Sequence, residues 1–224
     1  MEKTANFTKT INGIECVLVK AGTFTMGGSN FGESPSCRVT ISKDYWIGKY
    51  SVTQAQYLKI IGKNPSNFKG KNNPVECVNW YEAKRFCDCV GNGCRLPTEA
   101  EWEFAARGGK KSKGYIYSGS NNLDEVGWYH GNSSGSTHSV GQKNPNELGI
   151  YDMSGNVWEW CSDWFGSYTS AVVTNPTGLS TGSYRTGRGG SWRSGYGQCL
   201  VVYHRDGDVP SFKRNRLGFR VAFD

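Results

Sequence analysis

Three segments in the middle of the chain have the pattern of short amphipathic helices. Each begins with a Thr or Asn, and a Gln or Glu follows three positions later. In this arrangement the two side chains can each satisfy a backbone amide at the start of a helix. A glycine follows each segment, where a helix is expected to end. The predicted helices span residues 54–61, 80–90 and 99–107, with the capping pairs Thr53 with Gln56, Asn79 with Glu82, and Thr98 with Glu101.

Short alternating or apolar runs bounded by Gly, Pro, Ser and Asn predict strands in the rest of the chain. They lie mainly in the first fifty residues and at the C-terminal end. No linker, low-complexity tract or internal repeat divides the 224 residues. We therefore predict a single α+β domain, residues 1–224, with much irregular backbone. The predicted strands are residues 16–19, 24–26, 38–41 and 45–47 and two terminal anchors, 189–192 and 217–223.

Composition supports a loop-rich fold. The chain has 30 glycines, 8 tryptophans and 13% aromatic residues. Glycine serves tight turns, while large aromatic rings supply buried area to segments without regular structure. No apolar run approaches the roughly twenty residues that span a bilayer. We expect a soluble protein as given, with membrane attachment only through a lipid anchor or leader outside this sequence.

The segment 193–216 has neither helical nor strand periodicity and lies between the two terminal anchors. We expect such a segment to add little to the core and to contact another molecule. The net charge of the chain is +7, and five of these charges fall after residue 182, where eight basic residues face three acidic ones. A basic face there would attract acidic partners. Nucleic acid is a less favoured partner, because no basic helical stripe or nucleic-acid motif is present.

The eight cysteines do not have the spacing of a metal site. Residues 87–94 read CDCVGNGC, which is neither a CxxC pair nor half of a zinc site. We favour free and mostly buried thiols. An oxidising compartment would allow one or two disulfides, whose pairing the sequence does not define.

Seven motifs spread over nearly the whole chain resemble the formylglycine-generating enzyme, or sulfatase-modifying factor, family. The resemblance implies a C-type-lectin-like fold in which N- and C-terminal strands pair and long loops form the ligand face. In order, the motifs are AGTFTMGG (21–28), YWIGKYSVTQAQY (45–57), PVECVNWYEAKRFC (74–87), CRLPTEAEWEFAARGG (94–109), NELGIYDMSGNVWEWCSDW (146–164), RGGSW (188–192) and LGFRVAF (217–223).

The oxidase chemistry of this family is expected to be missing. The resemblance places the two copper(I)-binding cysteines of the oxidases at Ser194 and Cys199. A serine hydroxyl cannot replace a thiolate for copper(I), so we predict no copper, no catalytic residue and no oxidase activity. The related sulfoxide synthases need an iron-binding histidine cluster from an additional domain. This chain has only His130, His138 and His204.

A calcium site is the ion chemistry that the resemblance retains. Two carboxylates flank a glycine-bearing turn in residues 151–159, which suits a cation that prefers oxygen ligands. A lectin that binds carbohydrate through calcium is a weaker alternative, because this motif lies outside the 193–216 segment. The implied ligands are the side chains of Asp152 and Glu159 and the carbonyls of Gly155 and Val157.

The C-terminal segment also resembles that of the variable proteins of diversity-generating retroelements, including the treponemal ones. Mutation of AAC codons at adenine yields every residue except Gln, Glu, Lys, Met and Trp, and only Gln198 and Lys213 in the segment are of these types. The resemblance implies an exported or cell-surface protein that binds a protein or another macromolecule. The predicted binding residues are Arg193, Ser194, Gly195, Tyr196, Tyr203, His204, Arg205, Asp206, Gly207, Asp208, Val209, Ser211, Phe212, Arg214, Asn215 and Arg216.

Overall fold

The structure is a computed structural model that describes residues 7–28, 34–195 and 197–224. It contains short helices and small sheets connected by long loops. The helices are α1 (Gln54–Ile61), α2 (Trp80–Val90), α3 (Glu99–Ala106) and α4 (Leu123–Val126). The strands are β1 (Thr8–Ile11), β2 (Ile14–Val19), β3 (Gly22–Met26), β4 (Cys37–Ile41), β5 (Tyr45–Gly48), β6 (Trp158–Trp164), β7 (Val173–Thr174), β8 (Arg185–Arg188), β9 (Arg205–Asp208), β10 (Leu217–Gly218) and β11 (Ala222–Phe223).

The predicted helices are confirmed, and α3 ends one residue before the predicted boundary. All three capping boxes form, with both hydrogen bonds present in each. Gly62 follows α1 with a left-handed backbone, as expected of a glycine at a helix C-terminus. Local side-chain chemistry therefore determines where these helices start and stop.

The strands are arranged in three sheets. The first has the order β1-β2-β5-β11, the second β10-β6-β8-β9 and the third β3-β4-β7. The C-terminal strand β11 pairs antiparallel with β5, so the two ends of the chain share a sheet, as the resemblance implies. This α+β arrangement is a C-type-lectin-like fold. None of the helices in the described ranges is long and apolar enough to cross a bilayer.

One of the two terminal anchors is not a strand. Gly189 and Gly190 have φ of 95° and 70°, and the preceding residues 185–188 form the strand β8 instead. A Cβ on Gly190 would lie 2.6 Å from the carbonyl oxygen of Cys199. The glycine pair is thus needed for a left-handed turn and for the close approach of the next loop.

Two large apolar clusters form most of the core. The first surrounds α3 and includes Trp102 and Phe104, and the second lies under α1 and α2 around Phe86 and Phe219. A third, smaller cluster includes Leu200 and forms partly from the 193–216 segment. The sheet β10-β6-β8-β9 lies against α3 on one face, and its other face leads to the candidate site.

Candidate ligand-binding surface

The sheet β10-β6-β8-β9 separates two sets of side chains by strand alternation, because successive residues of a strand point to opposite faces. Residues paired across strands share a face, and the register pairs Trp160 with Gly187 and Gly187 with Asp206. The face away from α3, here called the outer face, therefore carries Trp158, Trp160, Arg185, Gly187, Asp206 and Asp208.

A cleft of about 110 Å³ lies on the outer face. The half-buried Trp158 forms its apolar floor above the fully buried Trp160, and Gly187 contributes no side chain there. Charged side chains surround this floor on strand β9 and on the loop that leads to β10. They are Asp206, Asp208, Arg214 and Arg216.

The charged groups of the cleft differ in whether they already have an ion-pair partner within the protein. Arg214 Nε donates to Asp208 Oδ2 at 2.6 Å, and this pair is partly exposed. Burial lowers the pKa of Arg216, and the neighbouring charges of Arg214 and Arg193 lower it further. The backbone carbonyl of Arg216 accepts a hydrogen bond from Trp158 N at 2.8 Å, which fixes the loop against β6.

Arg205 was expected at the binding surface, but it points toward the core. It lies on the inner face of β9, is 6% exposed and forms an ion pair with Glu99 at 2.7 Å. Its guanidinium also lies over the rings of Phe165 and Tyr168, at 4.3 Å and 4.1 Å from their centroids. The assignment of Arg205 to the binding surface is therefore wrong.

The inner-face ion pairs join sheet and helix. The buried Arg188 on β8 contacts Glu99 and Glu103 of α3, and Arg107 contacts Glu103 at 2.7 Å. Burial alone would raise the pKa of Glu99, but Arg205 and Arg188 hold it below its ordinary value. The neighbouring guanidinium groups therefore keep the Glu99 carboxylate charged in the interior.

The other predicted binding residues in the second half of the segment differ in how exposed they are. Tyr203 is half-buried, packs against two core clusters and lies over the guanidinium of Arg107, so it is also a scaffold residue. His204 is half-buried beside Trp158, with 5.8 Å between the ring centroids. Phe212 is 45% exposed. Ser211 is also exposed, whereas Gly207, Val209 and Asn215 are half-buried.

The first part of the segment lies on another loop. Arg193 and Gly195 are exposed, and Tyr196 lies outside the described residues. The Ser194 hydroxyl accepts a hydrogen bond from Ser191 N at 3.0 Å, so this side chain has a local structural role. The Cys199 side chain is half-buried. No group of three or more His, Cys, Asp or Glu in the described ranges is arranged to hold a metal ion.

The two carboxylates of the predicted calcium motif have different environments. Glu159 accepts hydrogen bonds from Ser51 Oγ at 2.6 Å, Trp102 Nε1 at 2.7 Å and Arg220 Nε at 2.6 Å. The guanidinium of Arg220 already neutralises this buried carboxylate. Glu159 therefore does not fit the role of a calcium ligand, and we assign it to the core.

Asp152 fits a cation better. Its Oδ1 is buried without a hydrogen-bond partner, while its Oδ2 accepts from Gly141 N at 2.8 Å. Burial raises the pKa of Asp152 to about 6. Gly155 and Val157 are buried between Asp152 and Glu159. Calcium at Asp152, Gly155 and Val157 stays a prediction, and a bound ion would supply the opposite charge that Asp152 lacks.

Sequence reasoning missed the floor of the cleft. Trp158, Trp160 and Gly187 lie outside residues 193–216, and the sequence predicts Leu217 only as part of a terminal anchor. The alternation of Trp158, Glu159 and Trp160 carried a signal, since a charged residue between two tryptophans indicates that opposite faces have different uses. The register with β8 was needed to assign those faces.

Comparison with known proteins identifies the family of this chain. The model of the sulfatase-modifying factor enzyme 1-like domain matches residues 2–224. The chain therefore belongs to this family. It is 36% identical to the chaperone protein LppX of Paenibacillus barcinonensis, over 91% of this chain and 86% of that protein. It is 37% identical to the formylglycine-generating enzyme of Streptomyces coelicolor, over 68% of this chain but only 53% of that enzyme.

The structural comparison identifies a relative of another kind. The fold matches Treponema denticola variable protein 1 with a TM-score of 0.88 and 31% sequence identity, over 97% of this chain and 98% of that chain. The predicted resemblance to the treponemal variable proteins is confirmed. The chain is thus similar both to enzymes and to a variable protein, and its own residues have to indicate which function it has.

Proposed function

We propose that this protein is a non-catalytic binding protein whose outer-face cleft and adjoining loops recognise a macromolecular partner, most simply another protein. The observation that carries the proposal is the contrast within β9. Arg205 is locked into the core, whereas Asp206 and Asp208 on the same strand border an open cleft floored by tryptophan. Arginine and aromatic side chains around such a cleft are the types that dominate binding energy at protein interfaces.

The likeness to a variable protein supports a diversifiable surface, and Ser194 supports the loss of oxidase chemistry. Export to the cell surface follows from a display role and belongs to the same proposal.

The second candidate function is a formylglycine-generating oxidase, which the relatives of that name and the retained Cys199 favour. It requires a thiolate pair for copper(I), and the hydroxyl of Ser194 instead caps the local turn.

The oxidase alternative is tested by incubating the protein with copper(I) and a cysteine-containing sulfatase peptide. We expect no formylglycine above the level of a Cys199→Ala control. Turnover that depends on Cys199 would refute the non-catalytic assignment.

The binding function is tested by selecting peptides from a displayed random library on the wild-type protein. Enriched peptides should lose binding to Asp206→Ser and Arg216→Ser variants and keep it on Leu58→Ser, a control at an exposed residue of α1. Peptides that bind all three variants equally would contradict the assignment of the cleft. A near-identical repeat of the 193–216 coding region beside a reverse transcriptase gene would support diversification.

A further inference from the structure

A second and larger cavity lies apart from the outer-face cleft. Its volume is about 590 Å³, and its wall is formed by α2, β5, β6 and β8 and by loops around residues 95 and 176. This volume falls in the range of about 300–1,000 Å³ that is typical of small-molecule sites. Apolar side chains contribute to the lining: Trp80 and Pro176 are half-buried there, and the nearly fully buried Ile41, Tyr45 and Leu96 lie behind them.

Arg185 is the notable charged residue of this wall. Its guanidinium lies between two indole rings, 3.5 Å from the centroid of Trp164 and 3.8 Å from that of Trp80. Trp164 is its cross-strand partner on β6, and Trp80 is the first residue of α2. Two stacked rings fix the plane of the guanidinium and so pre-organise its donors.

The donors of Arg185 are largely unused. Nη1 donates to the carbonyl oxygen of Ser162, while Nε is buried without a partner. Within the described residues, Arg185 forms no ion pair. Burial lowers its pKa, and the charges of Tyr81 and Asp163 oppose that shift without a direct contact. Arg185 is half-buried, and a partly desolvated guanidinium without an ion-pair partner would be stabilised by an acceptor that a ligand supplies.

The acidic residues of the same wall do not supply that counter-ion. Glu101 and Asp224 both pair with Arg95, and Asp44 pairs with Lys20. Lys84 adds a partly exposed positive charge to the lining. The cavity thus combines an apolar wall with a rigid guanidinium that has no carboxylate partner among the described residues.

We propose that this cavity binds a small carboxylic acid with an apolar, aromatic body. Its carboxylate would accept hydrogen bonds from the terminal Nη groups of Arg185, and its ring would pack against the half-buried Trp80 and Pro176. Charge-assisted hydrogen bonds from guanidinium to carboxylate are stronger than neutral ones. This site does not depend on the function proposed for the outer-face cleft, and it can be tested separately.

The experiment is calorimetric titration of the protein with 3-phenylpropionate and with its uncharged amide, 3-phenylpropionamide. We expect saturable binding of the acid with a Kd in the millimolar range or below. The Kd of the amide should be larger than that of the acid by a factor of roughly ten or more. Arg185→Gln should remove the preference for the acid, whereas Arg216→Gln, which removes a cation of the outer-face cleft, should retain it.

A measurement on the wild-type protein covers the case in which Arg185→Gln does not fold. Titration with 3-phenylpropionate should shift the indole N–H resonances of Trp80 and Trp164 while leaving that of Trp158 unchanged. Equal affinity for acid and amide, no saturable binding of the acid, or shifts confined to Trp158 would each overturn the proposal.

Discussion

The two faces of the sheet β10-β6-β8-β9 use charged residues in opposite ways. On the inner face, Arg188 and Arg205 are buried against Glu99 and Glu103 and join the sheet to α3. On the outer face, Asp206 is exposed and Arg214 forms only a partly exposed pair with Asp208. Residues adjacent in sequence are therefore expected to contribute very differently to the stability of the fold.

The difference shows that the binding segment is not a detachable loop. Exposed pairs contribute little to stability, whereas removal of one partner from a buried pair leaves an uncompensated charge. Leu200 and Val202 of the same segment are also buried in the core. Only the outward-facing positions of the segment are therefore expected to vary without loss of stability.

The sharpest test compares neighbours on β9. Arg205→Ala is expected to destabilise the protein by about 3–5 kcal/mol, because Glu99 loses a buried partner. Asp206→Ala should change stability by no more than about 0.5 kcal/mol. The free energies of unfolding of both variants can be measured in urea. If the two variants lost equal stability, the two faces would not differ in their energetic role.

The pH dependence of stability tests how burial acts on carboxylates without a guanidinium partner. Burial raises the pKa of Asp152 to about 6 and that of Asp163 to about 7, the latter with a further contribution from Glu99. Both groups bind a proton more readily in the folded state than in the unfolded state, so the free energy of unfolding should increase as the pH falls from 8 toward 5. A shift of one pKa unit corresponds to about 1.4 kcal/mol, which sets the gain at a few kcal/mol.

Glu99 behaves in the opposite way. Because its pKa is lowered in the folded state, its contribution is present at neutral pH and is lost as the pH falls through and below its ordinary value. Chemical unfolding between pH 3 and pH 8 should thus show maximal stability near pH 5, about one unit above the ordinary carboxylate range. Asp163→Asn should flatten the rise, and an unchanged profile in that variant would contradict this account.

Calcium at Asp152 would modify that profile, because a bound cation favours the ionised carboxylate. A ligand that binds only the native state stabilises it by about 2.7 kcal/mol at a hundredfold excess over Kd. We expect calcium to raise the melting temperature of the wild-type protein at pH 8 and to leave Asp152→Asn unaffected. Melting curves that do not respond to calcium or to a chelator would end the calcium prediction.

The smallest effect is expected on the outer face. Replacing Asp206, Asp208, Phe212 and Arg216 together by serine should cost only about 1–2 kcal/mol, since exposed pairs and surface residues contribute little individually. Phe219→Ala should cost about 3–5 kcal/mol, because that ring is fully buried between Tyr57 and Phe86. If the serine variant unfolds while Phe219→Ala remains folded, the outer face belongs to the core.

The sequence by itself determined the features that depend on local chemistry. The capping pairs located α1 and α2 at their observed bounds and α3 within one residue of its end. Ordered motifs determined the family, because glycines and apolar anchors at fixed spacing constrain one backbone path. The sequence also showed that a serine, Ser194, stands at the first copper-binding position of the oxidases, because that position lies two residues after the short RGGSW motif.

Only the tertiary structure decided which side chains of the C-terminal segment face outward. Arg205 and Asp206 are equally polar in sequence, and the register of β9 against β8 assigns one to the core and the other to the surface. The same holds for Glu159, whose carboxylate is taken by Ser51, Trp102 and Arg220 from distant parts of the chain. A buried charge is stable only beside its partner, and such partners are brought together by folding rather than by proximity in sequence.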